Sequence, residues 1–273
     1  MIALPDIQSS NARITTSLSE GSVALFVGGT SGVGEITLKQ FASHTKRPRI
    51  YFVGRSQEAG TRIATECKTM NPEGEYIFIP ADASLIRVVD EVSRGAGGHE
   101  GQIDTTDLEA RKASIPFYRG HITSMTTLAL EHLAEQAPTV SFINVHPGIV
   151  KSGVLRETDN LRMWVVWIVL LLLGRWVYVP EAESAERHLF LLTSAMYPAS
   201  HGEDAEVSVP EGMSVARGAD GSRGSGVYSM LWTGESPDNA VQALAGLRAH
   251  GIGEVVWRYT ESQFKRITGV ESI

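Results

Sequence analysis

The sequence predicts an α/β fold on a doubly wound parallel sheet, and three observations carry that expectation. Short β-branched and aromatic segments alternate with helix-length amphipathic segments through the first 94 residues. A glycine-rich turn, Val27-Gly28-Gly29-Thr30-Ser31-Gly32-Val33-Gly34, joins the first apolar segment to the first helical one. No internal repeat interrupts the alternation. Strand–helix alternation implies parallel βαβ units with right-handed crossovers.

The elements follow in order. Residues 1–20 are polar with only short apolar stretches, so they read as a flexible segment without a secretory signal. Residues 21–273 read as a single domain. Ser22–Val27 is the first strand, and Gly34–His44 the first helix, with Ile36, Leu38 and Phe41 at helical spacing. Arg49–Val53 is the second strand, Gln57–Met70 a helix stopped by Asn71-Pro72-Glu73-Gly74, and Tyr76–Ile79 the third strand. Ala83–Arg94 reads as a helix with Leu85, Val88, Val89 and Val92 on one face.

The pattern then breaks. Residues 95–120 hold no apolar run of strand length, whereas strands of a parallel sheet are nearly continuous apolar segments. This stretch reads as loop, with room for a short helix near Asp107–Lys112. Regularity returns with a helix at Ile122–Gln136, a strand at Val140–Val145, a His146-Pro147-Gly148 turn and a helix at Glu181–Ala195. Val227–Trp232 is a last strand, followed by helices at Asn239–His250 and Val255–Thr268. The Val140–Val145 strand is expected beside or near the first.

Composition narrows the classes. A hydrophobic content of 42% and a charged content of 20% are ordinary for a globular protein. The net charge of -7 lacks the basic face that nucleic acid demands, so no nucleic-acid partner is expected. One cysteine permits neither an internal disulfide nor a thiolate metal cluster, which suits the cytoplasm. Met163–Leu173 is an unbroken apolar run, short of the roughly 20 residues of a spanning helix and followed by Arg175. It reads as an apolar helix insertion near 160–179, facing the core, a homodimer partner or a membrane surface. Trp164, Trp167 and Trp176 flank it.

The glycine turn is the chemical signal. Glycine tolerates positive φ and lets backbone N–H groups approach a phosphate, and the N-terminus of the following helix favours anions. Gly28, Thr30, Ser31, Gly32, Val33 and Gly34 are therefore candidate cofactor-binding residues. The second strand ends in Gly54-Arg55-Ser56, without the acid that would hold a ribose 2′-hydroxyl. Arg55 suits a 2′-phosphate, which favours NADP and leaves NAD open. Asp82, past the third strand, is placed to meet the adenine or to cap the next helix. His99, Glu100, Asp104 and Asp107 form a polar cluster of no metal-site spacing, so it reads as a solvated loop and no metal is expected. His132 and His188 read as core or boundary histidines.

Val27–Gly34, Val53-Gly54-Arg55, Ala81–Ser84 and Pro147-Gly148-Ile149-Val150-Lys151-Ser152 resemble the short-chain dehydrogenase/reductase family. Ser124–His132 and Phe264–Ile267 resemble its fungal secondary-metabolite members. The resemblance implies hydride transfer between NAD(P)H and a carbonyl or alcohol of a small lipophilic substrate, with Pro147, Gly148 and Val150 at the cofactor. It also implies a tyrosine with a lysine four residues on, and this chain has no such pair. By register His121 stands at the tyrosine and Met125 at the lysine, which makes His121 the one catalytic candidate, beside the alternative that it only packs or caps the helix start. The family further implies two strands ahead of that helix, numbers four and five of its sheet, which 95–120 lacks. A stretch of several tens of residues is missing at about Arg94–Gly95, either in a genuinely shortened member or through a mispredicted splice junction. Three functions stay open at this point: an NADP-dependent oxidoreductase, a non-catalytic binder of NADP or a pathway intermediate, and a membrane-surface protein.

Overall fold

The computed structural model describes residues 1–81, 97–111, 114–148, 150, 178–202 and 207–270. The expected helix over 83–94, Asp82 and the apolar run at 163–173 lie outside these residues. The chain divides into two compact units, one of Ala3–Ala83 with Pro147–Thr193, the other of Met1–Ile2, Ser84–His146 and Ser194–Ile273.

The first unit is built on three parallel strands, β1 (Val23–Val27), β2 (Arg49–Gly54) and β3 (Glu75–Pro80), in that spatial order. Helices α3 (Gly32–His44) and α4 (Gln57–Met70) connect them. Strand side chains alternate between faces. Phe26, Phe52 and Phe78 stand in register on one face. Phe41 of α3 meets Phe26 edge-on at 6.2 Å, and Gly60 of α4 lies so close over Phe78 that a Cβ would fall 2.5 Å from its ring. That face is the core, with Ile50, Phe52, Leu38 and Ile63 fully buried. On the opposite face Leu25, Val27, Ile77 and Ile79 are exposed.

Two further helices, α1 (Leu4–Asn11) and α2 (Ile14–Ser17), occupy the segment expected to be flexible. Two isolated apolar residues decide this: Ile7 and Ile14 are buried. Helix α6 (Glu181–Thr193) packs against α1 and α3. Its Glu186 accepts from Asn11 Nδ2 at 2.6 Å and from Gln40 Nε2 at 2.8 Å, tying the three helices together.

The second unit centres on α5 (Ile115–Gln136), which packs on the parallel pair β4 (Phe142–Val145) and β5 (Val227–Met230). Helices α7 (Asp238–Ala249) and α8 (Ile252–Thr268) complete it. Ile122, Met125, Leu128, Val227, Leu244 and Val256 form its core. Two expectations are corrected here. α5 starts at Ile115 rather than Ile122, because a proline in the first helical turn sacrifices no hydrogen bond and the helix extends back through it. And β4 takes β5 as its neighbour rather than β1. No helix among the described residues is long and apolar enough to cross a membrane.

The two faces of the first sheet predict opposite responses. Phe52→Ala removes a 0%-exposed ring and should cost about 3–5 kcal/mol of stability in urea unfolding. Leu25→Ala, at a position 63% exposed, should stay within about 0.5 kcal/mol.

Candidate functional site

The glycine turn has the form its sequence suggests. The amides of Gly28 and Gly29 both donate to the Val53 carbonyl, at 3.0 and 3.2 Å, which pulls the chain back from β1 across the end of β2. Gly28 and Gly32 take positive φ, 77° and 56°. Gly34 sits against the Gly28 carbonyl so tightly that a Cβ would lie 2.5 Å from its oxygen. The turn thus delivers the chain into α3 at Gly32, and the opening amides of a helix have no intrahelical acceptor. Gly32, Val33 and Gly34 carry those amides, with Ser31 at the N-cap. Backbone donors at a helix start, with space kept by absent side chains, fit a phosphate.

Two residues outside the expected set shape the same turn. A Cβ on Gly54 would lie 2.4 Å from Thr30 Oγ1, so glycine at the end of β2 lets Thr30 rest there. A Cβ on Gly29 would crowd Phe26, Phe52 and Leu38 at 3.1–3.3 Å. The Val-Gly-Arg and Gly-Gly spellings held both signals, but read alone they are only loop glycines. Arg55 follows Gly54 directly, is exposed, and precedes Ser56, whose hydroxyl caps α4 by accepting from the Ala59 amide at 3.2 Å. Asp82 lies outside the described residues. Pro147 and Gly148 are described, Gly148 with φ 74°, and Val150 forms an isolated parallel bridge with Val179.

His121 lies in the other unit. It is 0% exposed and both its ring nitrogens are engaged. The Asp104 amide donates to Nδ1 at 3.1 Å, so the ring proton belongs on Nε2, which donates to the Leu108 carbonyl at 3.1 Å. The ring therefore clamps the 104–108 loop to α5. An acid–base role would require it to break one of those bonds.

The polar loop at 99–107 is corrected in part. Glu100 is buried, 6% exposed, not solvated. Its Oε1 accepts from Thr127 Oγ1 at 2.8 Å and from Ser229 Oγ, while Ser229 Oγ accepts from the Gly98 amide at 2.8 Å. Asn144 Nδ2 donates to Thr127 Oγ1 at 3.2 Å. The carboxylate thus ties its own loop to α5 through Thr127 and to β5 through Ser229, and Asn144 of β4 joins through Thr127. Beside it the rings of His99 and His146 meet edge-to-face at 4.9 Å. Burial, then the Arg119 charge, then His99 hold His146 at about 4, and burial followed by Arg119 lowers His99. No metal-holding group of three or more His, Cys, Asp or Glu residues occurs among the described residues. His188 is buried and His132 stacks on Trp257 at 4.3 Å, as core and boundary residues do.

Comparison with known proteins gives these features a family. No family model matches the chain. It is 30% identical to Oxidoreductase AN1596 of Emericella nidulans over 338 aligned positions, covering 96% of this chain and 98% of that protein. It is 28% identical to Oxidoreductase andH of Emericella variicolor, covering 98% of each. A 97-residue stretch is 36% identical to Short-chain dehydrogenase/reductase SAT2 of Stachybotrys chartarum, covering 33% of this chain and 27% of that protein. The chain belongs to the short-chain dehydrogenase/reductase family, among fungal oxidoreductases. The 338 aligned positions exceed the 273 residues of this chain, so tens of them are filled by the relative alone. The Rossmann-type fold is accordingly a shortened one.

Two outcomes follow. Gly34→Ala should leave far-UV circular dichroism near that of the parent and weaken dinucleotide binding at least about 10-fold, since the Cβ displaces the Gly28 carbonyl. For His146, the folded state prefers the neutral ring, and the unfolded state binds more protons between about pH 6.5 and 4. Stability should fall as pH drops through that window, and His146→Gln should flatten the fall in urea titrations.

Proposed function

We propose that this chain is an NADP-preferring oxidoreductase that moves a hydride between the nicotinamide and a ketone or alcohol of a small lipophilic molecule. The observation that carries the reading is the close approach of Gly34 to the Gly28 carbonyl, possible only without a Cβ, which sets the backbone donors at the start of α3. Bound there, the dinucleotide supplies the hydride. The amides of Gly32, Val33 and Gly34 hold its phosphates, with Thr30 and Ser31 shaping the turn. Arg55, directly after Gly54, offers its planar guanidinium to a ribose 2′-phosphate as a paired donor. Asp82, Pro147, Gly148 and Val150 keep the cofactor roles that the family resemblance implies. The resemblance to secondary-metabolite members and the apolar run at 163–173 support a lipophilic substrate.

One observation favours a second reading, binding of NADP or an intermediate without turnover. Both nitrogens of His121 are committed, at the position where the family places its proton-transferring tyrosine. Oxidation of NADPH, followed by absorbance with a panel of lipophilic ketones, separates the two readings.

Quenching of tryptophan fluorescence tests the cofactor. NADPH should bind more tightly than NADH, and Arg55→Ala should cost NADPH about 10-fold while leaving NADH unchanged. Equal loss for both cofactors would remove Arg55 from the 2′-phosphate.

A further inference from the structure

The second unit holds a cavity for which the dinucleotide reading has no use. We propose that it binds an uncharged hydrophobic molecule bearing a hydroxyl or carbonyl oxygen, seated between the 101–105 loop and the junction of α7 with α8. The inference needs neither the dinucleotide nor hydride transfer, so its failure would leave the cofactor reading intact.

The chemistry of the lining is the first support. The cavity measures about 500 Å³, within the range of small-molecule sites. Ile103, Leu247 and Ile252 line it and pack behind on the core of the unit, so its floor is apolar and backed. Gln102, Thr105 and Gln242 line it as well, and among the described residues their side chains have no hydrogen-bond partner. His250 Nδ1 donates to the Gly246 carbonyl at 2.8 Å, which leaves Nε2 as the acceptor of the neutral ring. Among the described residues no carboxylate, ammonium or guanidinium lines the cavity. Amides and a hydroxyl both donate and accept, so the set suits ketone and hydroxyl oxygens and offers no counter-charge to an ion.

Rigidity is the second. The Gly101 amide donates to Ser124 Oγ at 2.9 Å, and that hydroxyl donates back to the Gly101 carbonyl at 2.8 Å, which fastens the loop to α5. The Asp104 amide is held by His121. On the other wall the chain turns from α7 into α8 at Gly251, with φ 69°, while Arg248 is tied to Glu131 and to the Ala219 carbonyl. Preformed walls lose little freedom when a ligand binds.

Gly246 is the third. It lies inside α7, where glycine is less favourable than alanine. A Cβ there would meet nothing within 4 Å beyond the backbone of its own helix. Packing in the free chain therefore does not call for a glycine at this position. Gly246 lines the cavity, and its missing side chain lets a ligand lie directly on the helix backbone.

The test uses the ¹⁵N-labelled full chain with benzophenone and its alcohol benzhydrol as probes, and diphenylacetate as their anionic counterpart. Saturable shifts are expected at the amides of Ile103, Leu247 and Ile252 and at the side-chain amides of Gln102 and Gln242, with the Gly28–Gly34 amides unmoved. Diphenylacetate should bind at least about 10-fold more weakly. Gly246→Ala should raise the folded-to-unfolded ratio about 2- to 5-fold in urea titrations while weakening both probes at least about 5-fold. Gain of stability with loss of binding separates the site from a folding defect. Gln242→Leu, which keeps the bulk and removes the amide, should weaken both probes at least about 3-fold. Five results overturn the proposal: no saturable shift at these signals, equal binding of diphenylacetate, undiminished binding in Gly246→Ala, undiminished binding in Gln242→Leu, or loss of stability in Gly246→Ala, which would make the glycine a requirement of the fold.

Discussion

The contact between Gly34 and the carbonyl of Gly28 is the constraint on which the turn before α3 depends. Two backbone segments approach more closely there than any side chain allows, and the approach aims the start of α3 outward. The Val53 carbonyl anchors the turn from the other side by accepting both the Gly28 and Gly29 amides. Gly29 lies on the Phe26, Phe52 and Leu38 core, so the turn and the sheet are one packing problem. A glycine here shapes the turn through what it lacks.

The second unit solves its own problem with a buried carboxylate. Burying an ionisable group costs several kcal/mol unless its oxygens are satisfied. Glu100 meets that cost in part through the Thr127 and Ser229 hydroxyls, and in doing so it joins the 98–100 loop, α5 and β5. His121 performs a similar task a few residues on, between the 104–108 loop and α5. The segment 97–111 is held by these polar side chains together with Ile103 and Leu108, which pack against the core of the second unit. His99, next to Glu100 in the chain, inherits a fixed position from it, while His146 is held by its own amide on the Met230 carbonyl.

Much of the fold was legible in the sequence, and the reason is periodicity. β1, β2 and β3 have the short apolar spelling of parallel strands, and α4 carries a hydroxyl cap at Ser56 and a stop at Asn71 that fix its ends. The helical state of residues 4–17 was not legible, because it rests on the burial of Ile7 and Ile14, two residues that make no pattern by themselves. The burial of Glu100 was hidden for the same reason. Its partners Thr127 and Ser229 lie 27 and 129 residues away, and local reading makes such a glutamate a solvated one. Within the candidate site, the glycines and Arg55 could be named from spacing, whereas the commitment of both His121 nitrogens is a tertiary fact. Gly54 and Gly97 show that close backbone approach leaves only a glycine in the sequence, with no sign of what it approaches.

That the turn before α3 is where this chain holds a dinucleotide is the central claim, and amide hydrogen exchange tests it most directly. With saturating NADPH, the amides of Gly32, Val33 and Gly34 should exchange distinctly more slowly than in the free chain, while those of α7 and α8 stay unchanged. Saturable NADPH binding without slowing at Gly32–Gly34 would contradict the account.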